Sequence, residues 1–142
     1  MGIKSYNSFG MIRLARVLIA VVFLINVQCA AAFLLVPGKY TSSFELSGAM
    51  GEAVLRSLGV LFLMWNVPYA VALWHPIRHR LALFEAVVMQ AIGLVGETII
   101  YQSLPVAHTV ARGSLMRFIL FDGLGLLALA VAAWLTRKVR AV

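Results

Sequence analysis

Four long apolar stretches alternate with short polar separators, and that alternation sets the plan of the molecule. The stretches are residues 17–36, 53–74, 81–104 and 115–135. An α-helix rises about 1.5 Å per residue, so about 20 such residues cross the roughly 30 Å hydrocarbon layer of a bilayer. Each stretch therefore predicts one transmembrane helix. Helix-ending residues mark the separators: Pro37-Gly38 after the first, His75-Pro76 after the second, Pro105 after the third and Arg137-Lys138 after the fourth. Short connections make neighbouring helices antiparallel. The expected fold is all-α, a transmembrane up-down-up-down four-helix bundle forming one domain over residues 1–142.

Basic residues give the bundle an orientation. Lys4, Arg13, Arg16, Arg78, Arg80, Arg137, Lys138 and Arg140 flank one end of the spans, whereas Lys39 and Arg112 flank the other. The positive-inside rule places both termini and the Arg78–Arg80 turn in the cytoplasm, as in a multi-pass protein of the inner (cytoplasmic) membrane. The connections over residues 37–52 and 106–114 then face outward. The longer of these carries Glu45 and Glu52, two glycines (Gly48 and Gly51), and Phe44 and Leu46, which suit the membrane surface. It reads either as a plain interfacial loop or as a lid over an outward-facing pocket.

Composition agrees with lipid as the solvent. The chain is 63% hydrophobic and 12% charged, where soluble domains are about half apolar and about a quarter charged. The net charge of +7 lies at span ends and is a topology signal, not a nucleic-acid footprint. The first apolar run continues through Phe33-Leu34-Leu35-Val36, beyond the roughly 7–15 residues of a signal core, so it reads as a span. Gly2 lacks the Ser or Thr at position six that accompanies myristoylation. Cys29 is the sole cysteine and excludes an intrachain disulfide; within a span it reads as a small packing residue.

The informative positions are the polar ones inside the spans. Counting from the outer ends, Arg117 lies about 3 Å deep, Arg56 about 5 Å, Glu97 and Asp122 about 10 Å, Gln28 about 12 Å and Asn26 about 15 Å. Charge in hydrocarbon is costly and must be paired or face a polar cavity. Two arginines against two carboxylates predict pairing, and the arginine fork suits it. Glu52, four residues before Arg56, competes for it at the surface. Gln90, Gly93, Glu97 and Tyr101 share a helix face, as do Phe118, Asp122 and Gly125. Arg117 lies about 140° around the helix from Asp122, so the two look to different neighbours, such as Glu97 or Arg56.

Two readings of this level stay open. It is interhelical glue, or it is a polar pocket with an apolar rim for an amphipathic molecule, a quinone or a lipid. Candidate ligand-binding residues are Arg56, Gln90, Glu97, Arg117, Asp122, Asn26 and Gln28. A secondary polar set, Asn66 and Glu85, lies toward the inner end. Pro68 removes a helix hydrogen bond and predicts a kink near residues 64–68, with Asn66 as partner of the freed carbonyl. Glu85 is expected to pair with Arg78, Arg80 or Arg16. Trp65, Tyr69 and Trp74 read as an aromatic belt or core filling.

Other chemistry is ruled down. His75, His79 and His108 stand at span ends, so paired-histidine haem ligation is not indicated, and no metal set is assigned. With Arg78 and Arg80, the first two suggest a patch for anionic lipid. There is no phosphate-binding loop, dinucleotide fingerprint or serine triad, and no catalytic residue or fixed cofactor is assigned.

The chain resembles the small four-span bacterial proteins called DoxX-like. The opening Leu14-Ala15-Arg16-Val17-Leu18-Ile19, the loop after Pro37 and the basic tail carry the resemblance over about the full length. It departs where Asn26-Val27-Gln28-Cys29 stands in place of a Gly and Lys pair. Some members are linked to quinone-coupled sulfur oxidation, and no residue here supports carrying that activity over. The runs Leu63-Met64-Trp65-Asn66-Val67-Pro68-Tyr69 and Arg117-Phe118-Ile119-Leu120-Phe121-Asp122-Gly123 are similar to uncharacterised bacterial membrane proteins. Expected partners are membrane lipids and a homo-oligomer or larger membrane complex, with no nucleic acid. The leading functional expectation is an amphipath-binding protein or accessory subunit. The alternatives are a membrane enzyme using Glu97 or Asp122 for proton transfer, and an oligomeric transporter or channel.

Overall fold

The computed structural model describes residues 3–139, with side chains from Ser8 onward; the Lys4 side chain and Arg140 lie outside the described residues. Four helices follow in order: α1 (Ile3–Leu35), α2 (Gly48–Trp74), α3 (Arg80–Ser103) and α4 (Thr109–Lys138), with two 3₁₀ turns, Pro37–Lys39 and Ser42–Phe44, between α1 and α2. All four are long and apolar enough to cross a membrane. Each packs against its sequence neighbours, and α4 closes the ring against α1. This is the expected up-down-up-down bundle.

The helices exceed the apolar stretches. α1 and α4 run 33 and 30 residues, about 50 and 45 Å at helical rise. Apolar runs mark the length in hydrocarbon, whereas backbone hydrogen bonding carries a helix on through its interfacial turns. Arg13, Arg16, Arg112, Arg137 and Lys138 therefore ride on helices.

The cross-section follows membrane logic. Bulky apolar side chains face outward: Leu24, Val67, Ile99, Leu124 and Leu127 are each exposed by 60% or more. Ala15, Ala30, Ala72, Ala86 and Ala132 are fully buried. Without a hydrophobic force between helices in lipid, small residues permit the close approach on which dispersion and hydrogen bonds depend. Gly59 is the tightest such point between α1 and α2. A Cβ there would lie 2.8 Å from Leu34 Cγ and 3.0 Å from the Ala30 carbonyl oxygen.

Helix ends are closed by arginines from neighbouring segments. Arg16 donates to the Trp74 carbonyl at the end of α2 (2.8 Å). Arg80 donates to the Thr136 and Val139 carbonyls at the end of α4 (3.0 and 2.6 Å). Arg112 donates to Tyr101 and Leu104 at the end of α3 (2.8 and 2.7 Å) and lies over the Tyr101 ring. The last carbonyls of a helix lack intrahelical donors and sit at its negative pole, so a cation satisfies both needs.

At the other end of α4 the cap is an anion. Glu45, in the left-handed region at φ 56°, ψ 31°, accepts from the Val110 and Ala111 N–H groups (both 3.2 Å) and meets His108 Nδ1. These contacts, first the His108 hydrogen bond and then the Ala111 N–H, hold the Glu45 carboxyl below the usual carboxylate range. Ser114 Oγ donates to the Ser43 carbonyl at 2.6 Å. Phe44 enters an aromatic cluster centred on buried Phe33, whose ring lies 5.6 to 6.4 Å from those of Tyr40, Phe44, Phe62 and Phe118. The long connection is thus docked onto α1, α2 and α4 and fills that end of the bundle.

Candidate functional site

One turn further into the bundle than Phe118, on the same face of α4, lies Asp122. Its Oδ1 accepts a 2.7 Å hydrogen bond from Gln90 Nε2 on α3. Gln90 Oε1 in turn accepts from Tyr69 Oη on α2 at 2.6 Å, and the Ala86 carbonyl lies 3.2 Å from the same hydroxyl. Tyr69 and Gln90 are both buried. The amide orientation follows from its neighbours, since only Nε2 can donate to a carboxylate and only Oε1 can accept from the hydroxyl. A polar chain thus joins three helices in the membrane interior.

Two glycines make room for it. A Cβ at Gly125 would lie 2.6 Å from Gln90 Nε2, and one at Gly93 would collide with Asp122 Oδ2. The stripe Gln90, Gly93, Glu97 on α3 and the pair Asp122, Gly125 on α4 therefore interlock, glycine against polar group.

Glu97 lies two turns from Gln90 on the same face of α3, within electrostatic reach of Asp122 and of Cys29 on α1. Its Oε2 is buried without a hydrogen-bond partner among the described residues. A carboxyl oxygen so placed calls for a proton, a cation or a donor from a bound molecule.

The arginines do not answer that call. Arg56 pairs with Glu52 at 3.3 Å on the exposed face of α2, the competing arrangement anticipated from their spacing. Arg117 is exposed and has no ion pair among the described residues. The expected arginine–carboxylate pairing at one level is corrected accordingly. The physical reason is reach: a long arginine side chain lays its stem on apolar surface and carries its charge toward the interface, which a short carboxylate cannot do. Asn26 is half-buried and Gln28 exposed, and neither side chain forms a hydrogen bond among the described residues. Of the seven candidates, Gln90, Glu97 and Asp122 come together. Arg56, Arg117 and Gln28 face outward.

The secondary set also differs from expectation. α2 is unbroken through Pro68. Asn66 donates to the Phe62 carbonyl at 2.6 Å, whereas Pro68 frees the Met64 carbonyl, so Asn66 is not its partner. Asn66 Oδ1 is buried without a partner among the described residues. Glu85 is exposed and pairs with none of Arg78, Arg80 and Arg16 among the described residues, so that expectation is corrected.

Tyr69, Cys29 and the Phe33 cluster were not singled out by sequence as parts of one site. Tyr69 carried a usable signal. It stands five residues before the end of α2, and Ala86 six residues after the start of α3, so a short turn sets them at equal depth, and a buried tyrosine hydroxyl seeks a partner. Comparisons with family models, curated proteins and solved structures return no match for this chain.

Proposed function

We propose that this integral membrane protein binds an amphipathic small molecule, a quinone or a lipid, at the Tyr69–Gln90–Asp122–Glu97 cluster, alone or as an accessory subunit of a membrane complex. The observation that carries the reading is Glu97 Oε2, buried beside a second carboxylate with neither a hydrogen-bond partner nor an ion pair among the described residues. Structural glue needs its polar groups paired with each other, and here one carboxyl oxygen is left over. A ligand hydroxyl would donate to that oxygen; a protonated Glu97 would donate to a ligand carbonyl. The aromatic cluster offers an apolar wall on the side of the long connection. The α2–α3 seam, the least extensive of the four, is the route from the bilayer. The basic flanks support a cytoplasmic-membrane protein with both termini inside.

A second reading, proton transfer by Glu97 or Asp122 to a bound ligand, is favoured by the continuous hydrogen-bonded chain from Tyr69 to Asp122. Both readings need the same ligand, and one experiment tests it. The protein is purified in mild detergent, analysed by native mass spectrometry, and its retained molecules are extracted. A stoichiometric amphipath lost in Glu97→Gln and retained in Arg117→Ala, with helicity unchanged, is the expected result. An empty protein, or retention indifferent to Glu97→Gln, refutes the proposal.

A further inference from the structure

A second feature lies away from Glu97 and Asp122, toward the end of the bundle holding the termini. Between α3 and α4 runs a groove of about 590 Å³, within the range of small-molecule sites. Its lining is mostly apolar, with Phe84, Val87, Ala130 and Trp134, and includes Arg80 and Arg137. No acidic residue lines it, and Glu85, adjacent to Phe84 in sequence, is not among the walls. Arg80 spends its Nη2 hydrogens on the α4 carbonyls, and those on Nε and Nη1 have no partner among the described residues. Arg137 is exposed and has no hydrogen bond or ion pair among the described residues. Lys138 sits 3.6 Å from the Trp134 ring centroid and adds a third positive charge.

An apolar trough lined by the unpaired Arg137 and by an Arg80 with donors to spare suits an occupant that joins an apolar chain to an anion. We infer that this groove seats one anionic phospholipid, with an acyl chain against Phe84, Val87, Ala130 and Trp134 and its phosphate on Arg137 and the free Arg80 donors. The walls take the chain of any phospholipid, and the arginines select the net negative headgroup. This site is separate from the Glu97 cluster and does not depend on it.

The test titrates the intact protein in mild nonionic detergent with phosphatidylglycerol or phosphatidylcholine of identical chains, read by native mass spectrometry. One phosphatidylglycerol is retained in preference to phosphatidylcholine. Arg137→Gln weakens phosphatidylglycerol retention about fivefold, as expected for loss of one basic residue near an anionic headgroup, and leaves phosphatidylcholine unchanged. Ala130→Phe, which keeps every charge and fills the trough, weakens both. Equal retention of the two lipids, indifference to Arg137→Gln, or wild-type binding by a folded Ala130→Phe protein overturns the inference. If Ala130→Phe does not fold, the Arg137→Gln result decides it. Glu97→Gln leaves this binding intact, which separates it from the amphipath proposal.

Discussion

Removing the Tyr69 hydroxyl tests whether the interior chain is one connected device or a row of independent contacts. Tyr69→Phe deletes the 2.6 Å bond to Gln90 Oε1 and strands an acceptor that has no other donor among the described residues. Interhelical hydrogen bonds in membranes average about 0.6 kcal/mol and reach about 1.7 kcal/mol. Burial of both partners and the short distance place this one in the upper part of that range, about 1 kcal/mol or slightly more. Gln90→Leu removes this bond and the bond to Asp122 together, leaving the hydroxyl with the Ala86 carbonyl at 3.2 Å. In the Gln90→Leu background the further change to Phe therefore has little left to remove. The coupling in the double-mutant cycle should equal nearly the whole Tyr69→Phe effect, about 1 kcal/mol. Reversible unfolding in lipid bicelles, followed by steric trapping, measures the four stabilities. Independent sites add to within about 0.3–0.5 kcal/mol, so additivity of the two changes refutes the chain as drawn.

Three further outcomes follow from the same geometry. Gly93→Ala drives a methyl into Asp122 Oδ2 and should destabilise by about 1–3 kcal/mol through overpacking, whereas Gly96→Ala, with open space around it, should be neutral or slightly stabilising in the same unfolding assay. Glu45 has a lowered folded-state pKa, so its contribution is fully present above its ordinary value of about 4.3 and is lost as pH falls through the lowered one. Thermal melts between about pH 7 and pH 3 should show this acid-dependent loss in the native protein and a smaller one in Glu45→Gln. Arg80→Ala uncaps α4 and should lower stability by about 1 kcal/mol, given the strength of cation–helix-end contacts, with faster amide exchange confined to the last turns of α4.

The span count and the antiparallel order were legible in hydropathy, because a bilayer demands length and apolarity and little else. Depth was legible in part: counting along each helix put Glu97 and Asp122 at one level across α3 and α4, whereas Gln90 entered only through the helix face it shares with Glu97. Azimuth was not. One residue turns a helix by about 100°, and which way a helix rotates depends on its partners' small residues. Gly59 against Ala30 and Gly93 against Asp122 become visible only once the helices are packed. Arg56 and Arg117 therefore looked like members of the cluster by depth and proved to be outward-facing. Glu45 was read as one acid of a loop; its role depends on the α4 N-terminus, far along the chain and adjacent only in space.

The arginine caps also bear on how the molecule is made. Arg16 of α1 closes α2, Arg80 of α3 closes α4, and Arg112 of α4 closes α3. The C-terminal ends of α2, α3 and α4 are thus each closed from within one helical hairpin, α1–α2 or α3–α4. What waits for the second hairpin is Glu45 on the α4 N-terminus, Ser43 on Ser114 and Tyr69 on Gln90. The contacts between the hairpins are thus the ones that cap the α4 N-terminus and join Tyr69 to the Gln90–Asp122 pair, which the second hairpin holds by itself.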